Sequence, residues 1–132
     1  MAKSSTSPTQ RTLKVLRENG YVVDVVERFL SSPNGSFGIR KDYCGMFDLI
    51  AFNDCEIIGV QCGAVSGHSG HRRKIIESPD VEKWLTVFNR RIEIWSWGKR
   101  KERKNGKLWY FKVEEVNMQM VKDSWTVNKE KP

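Results

Sequence analysis

The apolar positions of this 132-residue chain follow two rhythms. Leu13 and Leu16 fall three apart behind Ser7 and Pro8, which suit an N-cap and a first helical position, and Gly20 stops the run. The spacing predicts a helix of roughly three turns. From residue 21 the rhythm becomes β-branched. "YVVDVVERF" (21–29) reads as a first strand, with Tyr21, Val23 and Val25 on one face. "SSPNGSFG" (31–38) reads as a mobile loop leading to the charged segment "IRKDY". "FDLIAF" and "IIGVQCGA" read as strands two and three, and "NDCE" between them is short enough to make an antiparallel hairpin. "VSGHSGHRRKI" reads as a loop whose basic end could begin a helical turn. Ser78, Pro79 and Asp80 then cap a second helix, on which Val81, Trp84, Leu85 and Phe88 recur at helical spacing. "RIEIWSW" and "LWYFKVEEV" read as two further strands around a basic turn containing Asn105 and Gly106. The predicted order is helix, three strands, helix, two strands: a small α/β sheet with helices packed on it.

Length and an apolar fraction of 39% suit one domain with one modest core. We expect a flexible segment at 1–6, a single domain over 7–116, and a tail over 117–132 that docks in part through Met118, Met120 and Trp125 and frays at its end. The formal charge of +7 favours a polyanionic partner, with nucleic acid preferred to an anionic membrane. Three cysteines without a C-x-x-C pair fit a reducing compartment. The start carries no apolar h-region and no run reaches membrane-spanning length, so a soluble cytoplasmic protein is expected.

Two polar side chains interrupt the hairpin. Alternation places Asp48 on a face with Ile50 and Phe52, and Gln61 on one with Gly59 and Gly63. A buried carboxylate is unfavourable unless it meets a cation, a metal or several donors. Asp48 is thus either a functional acid or a strand-end acid held by backbone N–H groups or by Arg40. The helix, the hairpin with an acid on its first strand, and the polar residue ahead of a loop and basic helix together resemble the PD-(D/E)XK nuclease superfamily. The likeness is greatest to small Holliday-junction-resolvase-like and phage-type members and spans roughly residues 7 to 115. It implies a restriction-endonuclease-like core, a mixed sheet in the order α-β-β-β-α-β-β. It further implies a metal-dependent DNA endonuclease, structure-selective in the manner of a junction resolvase.

On that resemblance Asp48 holds the family's Asp position, Gln61 its Glu position, and Gly63 the position of its Lys. Asp48 and Gln61 would bind Mg²⁺ or Mn²⁺, since oxygen ligands suit such ions, and residues two apart on a strand lie about 6.6 Å apart facing one cavity. Gln61 brings one negative charge fewer than Glu, and Gly63 offers no ammonium. Lys74 is the nearest replacement for the missing Lys, with Lys41 another. Asp42 or Glu27 could restore a negative ligand, while Thr9 and Gln10 stand where some members carry a first-helix acid.

Basic residues supply the candidate nucleic-acid surface. Lys41, His71, Arg72, Arg73 and Lys74 could hold phosphate beside a helix N-terminus, or form a solvated turn that includes His68. A zinc site from Cys62, His68 and His71 lacks a paired-cysteine spacing. "KRKERKNGK" (99–107) has six basic residues against one acid, so Arg100, Lys101, Arg103 and Lys104 could reach duplex phosphates or keep an edge soluble. Trp95, Trp97, Trp109, Tyr110 and Phe111 read as core or interface groups. Besides the nuclease, the sequence leaves open a nuclease-fold protein that binds without cutting, and a phage or mobile-element factor that handles DNA. Expected partners are DNA, branched forms included, with RNA open, no membrane, and a homodimer allowed.

Overall fold

A computed structural model describes residues 7–31, 38–101 and 107–130. Arg103 and Lys104 of the basic turn lie outside them, as does the 1–6 segment.

Helix α1 (Pro8–Glu18) begins where Ser7 Oγ accepts from Gln10 N, and Gly20 beyond it adopts φ +91°, which a side chain would resist. Strand β1 (Val22–Val25) follows. The expected first strand then breaks: β2 (Arg28–Ser31) leaves the sheet and pairs antiparallel with β3 (Gly38–Lys41) in a separate ribbon. The break has a hydrogen-bond cause, because the Val26 and Glu27 N–H groups both donate to Asp48 O, at 2.9 and 3.3 Å. The charged segment expected after a loop is therefore partly a strand.

The hairpin forms as β4 (Leu49–Phe52) and β5 (Ile57–Ala64), with Phe52 opposite Ile57. Asn53 Oδ1 closes its turn by accepting from Cys55 N and Glu56 N. After a short 3-10 turn come α2 (His68–Ile76) and α3 (Val81–Thr86), then β6 (Arg90–Lys101), β7 (Lys107–Glu115) and α4 (Met118–Glu130). The sheet order is β1-β4-β5-β6-β7, with β5 and β6 parallel and the other pairs antiparallel, which is a mixed five-stranded α/β sheet.

Alternation along these strands builds two cores. Val23, Leu49, Ala51, Ile58, Val60, Trp95 and Trp97 face α1 through Leu13 and Leu16. Phe47, Ile92, Ile94 and Val116 face α2, α3 and α4 through Ile75, Val81 and Val121. Thr12 and Trp97 tie the first core to α1, the indole N–H donating to Thr12 Oγ1 at 2.8 Å. Trp84 ties α3 to the sheet by donating to Arg91 O and packing against Phe47.

Three details differ from the expected order. The "HSGHRRKII" segment is a nine-residue helix throughout, where only its basic end is expected to turn helical, and its internal Gly70 is outweighed by burial of His68 and Ile75. The second expected helix ends at Thr86, leaving Phe88 almost wholly exposed. The 117–132 segment contributes α4, whose Val121 is buried against the second core. Among the described residues no helix is long and apolar enough to cross a membrane.

His68 is what seats α2. Its Nε2 lies 2.7 Å from Glu114 Oε1, and its Nδ1 lies 2.6 Å from Ser96 Oγ. A Glu114 carboxylate only accepts, so the ring donates from Nε2, and Nδ1 shares a hydrogen bond with the Ser96 hydroxyl. The Ser-His-Glu order looks like a hydrolytic triad, but Ser96 is fully buried and no substrate can reach it. The trio is a clamp between α2, β6 and β7. His68→Ala should cost about 2 kcal/mol by leaving Ser96 and Glu114 short of a partner, measured as a lower urea midpoint with unchanged slope.

Candidate metal and substrate site

Because β4 stops pairing at Leu49 opposite Val60, the last four residues of β5 run beyond it. Asp48 fills that step. Its carboxylate Oδ2 accepts from Cys62 N at 2.9 Å and from Gln61 Nε2 at 2.8 Å, while its own N–H donates to Val60 O. Asp48 and Gln61 therefore share a face, and both are buried. The strand-end account of a held acid is thus partly realised, with Cys62 N as the donor rather than Arg40.

Two further acids converge on Asp48. Glu27 sits where the chain bends off β1, held there by Asp48 O. Asp42 is presented by a tight turn in which Gly45 N donates to Asp42 O and Tyr43 bridges Phe47. That turn needs two left-handed residues, Cys44 at φ 53° and Gly45 at φ 69°. For Cys44 this is a strained conformation, of the kind that clusters at functional sites. One carboxylate oxygen from each of Glu27, Asp42 and Asp48 lies within 4.8 Å of the others. Among the described residues this cluster of potential ligands does not include Cys62, His68 or His71. Cys62 points to the α1 core and both ring nitrogens of His68 meet Ser96 and Glu114, so Cys62, His68 and His71 do not converge as the zinc reading requires.

The acids surround a cavity of about 730 Å³, walled by the ribbon, the ends of β4 and β5, α2 and the start of α1, where Thr9 and Gln10 lie. From α2, Lys74 and His71 enter it. Lys74 Nζ pairs with Asp42 Oδ2 instead of standing free beside Asp48. His71 rests against Gly63, where any added Cβ would overlap its Cε1. The ring thus fills the space a side chain at position 63 would need. Burial, then the Lys74 charge, push His71 below its ordinary pKa, and its Nδ1 is buried without a hydrogen-bond partner.

The basic residues do not all gather here. Arg72 turns to the far side and pairs with Glu114 at 2.8 Å, so its guanidinium is committed to the His68 clamp. Arg73 is exposed and does not line the cavity. Lys41 is exposed on β3, and Arg100 and Lys101 extend β6 toward its tip. Trp95 and Trp97 are core residues, whereas Trp109 and Phe111 stay partly exposed, Phe111 stacking on Trp95. Glu27 is a member of the cluster that sequence reasoning named only conditionally. Its signal is an acid directly after the apolar run of β1.

Asp48 carries the electrostatic tension of the site. Burial, then the Asp42 and Glu27 carboxyls, push it up to about 8 against the stabilising Cys62 N–H. Asp42 goes the other way: burial would raise it, but hydrogen bonds from Asp48 and Lys74 hold it low. The cluster therefore keeps a proton on Asp48 near neutral pH. Gln61 Oε1, on the same wall, is buried and has no hydrogen-bond partner. The three converging carboxylates are oxygen donors of the kind that suit a divalent cation such as Mg²⁺ or Mn²⁺, while Gln61 presents Nε2 rather than Oε1 to Asp48.

No family model, no curated protein and no solved structure matches the chain.

Two measurements follow from this geometry. Since the folded pKa of Asp48 exceeds the unfolded value, the folded state binds the extra proton between about pH 4 and about 8, and stability falls as pH rises through that window. His71, shifted down, acts with opposite sign below about pH 6.5, so the Asp48 effect is isolated between pH 7 and 8. There the cation-free protein should lose up to about 1.4 kcal/mol per pH unit, and Asp48→Asn should flatten that slope in urea titrations. Gly63→Ala should displace the His71 ring and cost about 1 to 3 kcal/mol, with the loss largely relieved when His71→Ala is added.

Proposed function

We propose that this chain is a metal-dependent DNA endonuclease acting at the Glu27, Asp42, Asp48 and Gln61 cavity. The observation that carries this reading is the carboxylate cluster itself, built around the buried Asp48. Three carboxylates crowd together at the end of a hairpin with a proton in place of a cation, beside an amide oxygen that has no protein partner. The order of helix, mixed sheet and acid-bearing hairpin supports a restriction-endonuclease-like core. The net charge of +7 supports a polyanionic substrate.

In this reading Asp48, Asp42 and Glu27 hold the cation through carboxylate oxygens, and Gln61 adds Oε1 once its amide turns. A bound divalent ion would supply Lewis-acid polarisation of the phosphoryl oxygen and activate water for attack. Lys74 offsets the excess negative charge through Asp42 and can meet a phosphate oxygen as it does so. His71, neutral near pH 7, lies within the same cavity and can orient water without repelling a cation. Gly63 contributes by its missing side chain, which leaves that place to the His71 ring.

A second reading, a protein of the same architecture that binds DNA without cutting it, is favoured by Gln61, which lowers the charge of the donor set by one. The two readings separate on purified protein incubated with Mg²⁺ or Mn²⁺ and linear, single-stranded, flapped and four-way DNA. We expect cation-dependent cleavage that falls at least a hundredfold in Asp48→Asn. Gln61→Glu should tighten Mn²⁺ binding by on the order of tenfold, measured by calorimetry. Mobility shifts without cleavage in either cation would select the binding reading.

A further inference from the structure

The β2–β3 ribbon stands apart from the sheet, and its two feet are ligands of the candidate cation site. Glu27 immediately precedes β2, and Asp42 immediately follows β3. Register places Phe29 opposite Arg40, and alternation puts Glu27, Phe29, Arg40 and Asp42 on one ribbon face. All four line the cavity, so this inner face looks onto the acids. Phe29 is nevertheless 67% exposed. The tip of its ring lies over Gly38, where any added Cβ would overlap it, so the glycine is what lets the ring lie along the ribbon.

An exposed phenyl ring beside a cation and at the rim of a polar cavity suits a ligand with one flat apolar face and an adjacent anion. A nucleotide has both. In a duplex each base face is covered by its neighbours, whereas an unpaired base offers a face to an aromatic ring. Arg40 is 77% exposed, and its ion pair with Glu27, at 3.8 Å, is long enough to leave the guanidinium available to phosphate. Lys41 and Arg28, exposed on the opposite ribbon face, add positive charge to the same arm. We propose that the inner face of the ribbon is a substrate arm that takes one unpaired nucleotide of DNA, Phe29 stacking on the base and Arg40 holding the neighbouring phosphate. This rests on the nuclease reading for the choice of DNA, and it makes the preferred substrate one with an unpaired base next to the cleaved phosphate. The clustered acids at the ribbon's feet give the arm its aim.

The experiment is fluorescence anisotropy and 2-aminopurine quenching with the full chain, in Ca²⁺ in place of Mg²⁺. The probes are a single-stranded oligonucleotide and the same sequence as a blunt duplex. Phe29→Ala should weaken single-stranded binding about tenfold and abolish the quenching, while changing duplex affinity less than twofold; Phe29→Trp should retain both. Circular dichroism checks that each variant folds. Equal losses on both DNAs, or no loss on either, would overturn the proposal. So would a parent with no affinity for either DNA, or a parent dimer that Phe29→Ala converts to monomer, which would assign the ring to self-association. A parent that stacks unpaired DNA on Phe29 yet cuts nothing in Mg²⁺ would sink the nuclease reading and leave this one standing. A parent that cuts DNA but binds single strands independently of Phe29 would do the reverse.

Discussion

A single buried carboxylate organises one end of this molecule. Asp48 uses every polar group it has: its N–H binds Val60, its carbonyl accepts from Val26 and Glu27, and its carboxylate accepts from Cys62 and Gln61. The first bond finishes the hairpin. The second bends the chain off β1 and sets Glu27 in place, and the third closes the step left where β5 outruns β4. Burying an acid this way is unfavourable by itself, and two more acids beside it make it worse. The fold tolerates the arrangement because the Cys62 N–H and the Gln61 amide donate to the carboxylate and the crowded acids retain a proton.

The opposite wall is rigid for a different reason. His68 is clamped between Ser96 and Glu114, so α2 cannot rotate on the sheet without breaking a buried network. One turn further along, His71 and Lys74 then face the cavity, while Arg72 is drawn back to Glu114. Helical spacing distributes these side chains in pairs: Arg72, four after His68, shares its side, and Lys74, three after His71, shares the other. Gly63 completes the fit, since the strand must offer His71 a bare backbone.

The third wall is packed differently. The ribbon is two strands with no sheet packed on them, and its outer residues Leu30 and Ile39 are exposed. An isolated two-stranded ribbon is marginal in water. It is joined to the rest of the molecule through Glu27 and Asp42, the two acids that flank its strands and converge on Asp48.

The local elements were legible in the sequence because they obey short-range rules. Ser7 and Pro8 start α1, Asn53 turns the hairpin, and two-residue alternation places Asp48 and Gln61 on one face. Three-dimensional structure decided what depends on partners far along the chain. Nothing local tells that Val26 and Glu27 will bind Asp48 and split the first strand, or that His68 will find Ser96 and Glu114 and turn a glycine-bearing segment into a helix. It also decided that Lys74 would meet Asp42 and that His71 would occupy the place left by Gly63. Sequence by itself determined which side chains could face one another across a turn or along a strand, because backbone geometry repeats over a few residues. The pairings across 21 to 46 positions were set only by packing two helical layers against one sheet, where hydrogen-bonding groups cut off from water must take whichever partners the fold brings to them.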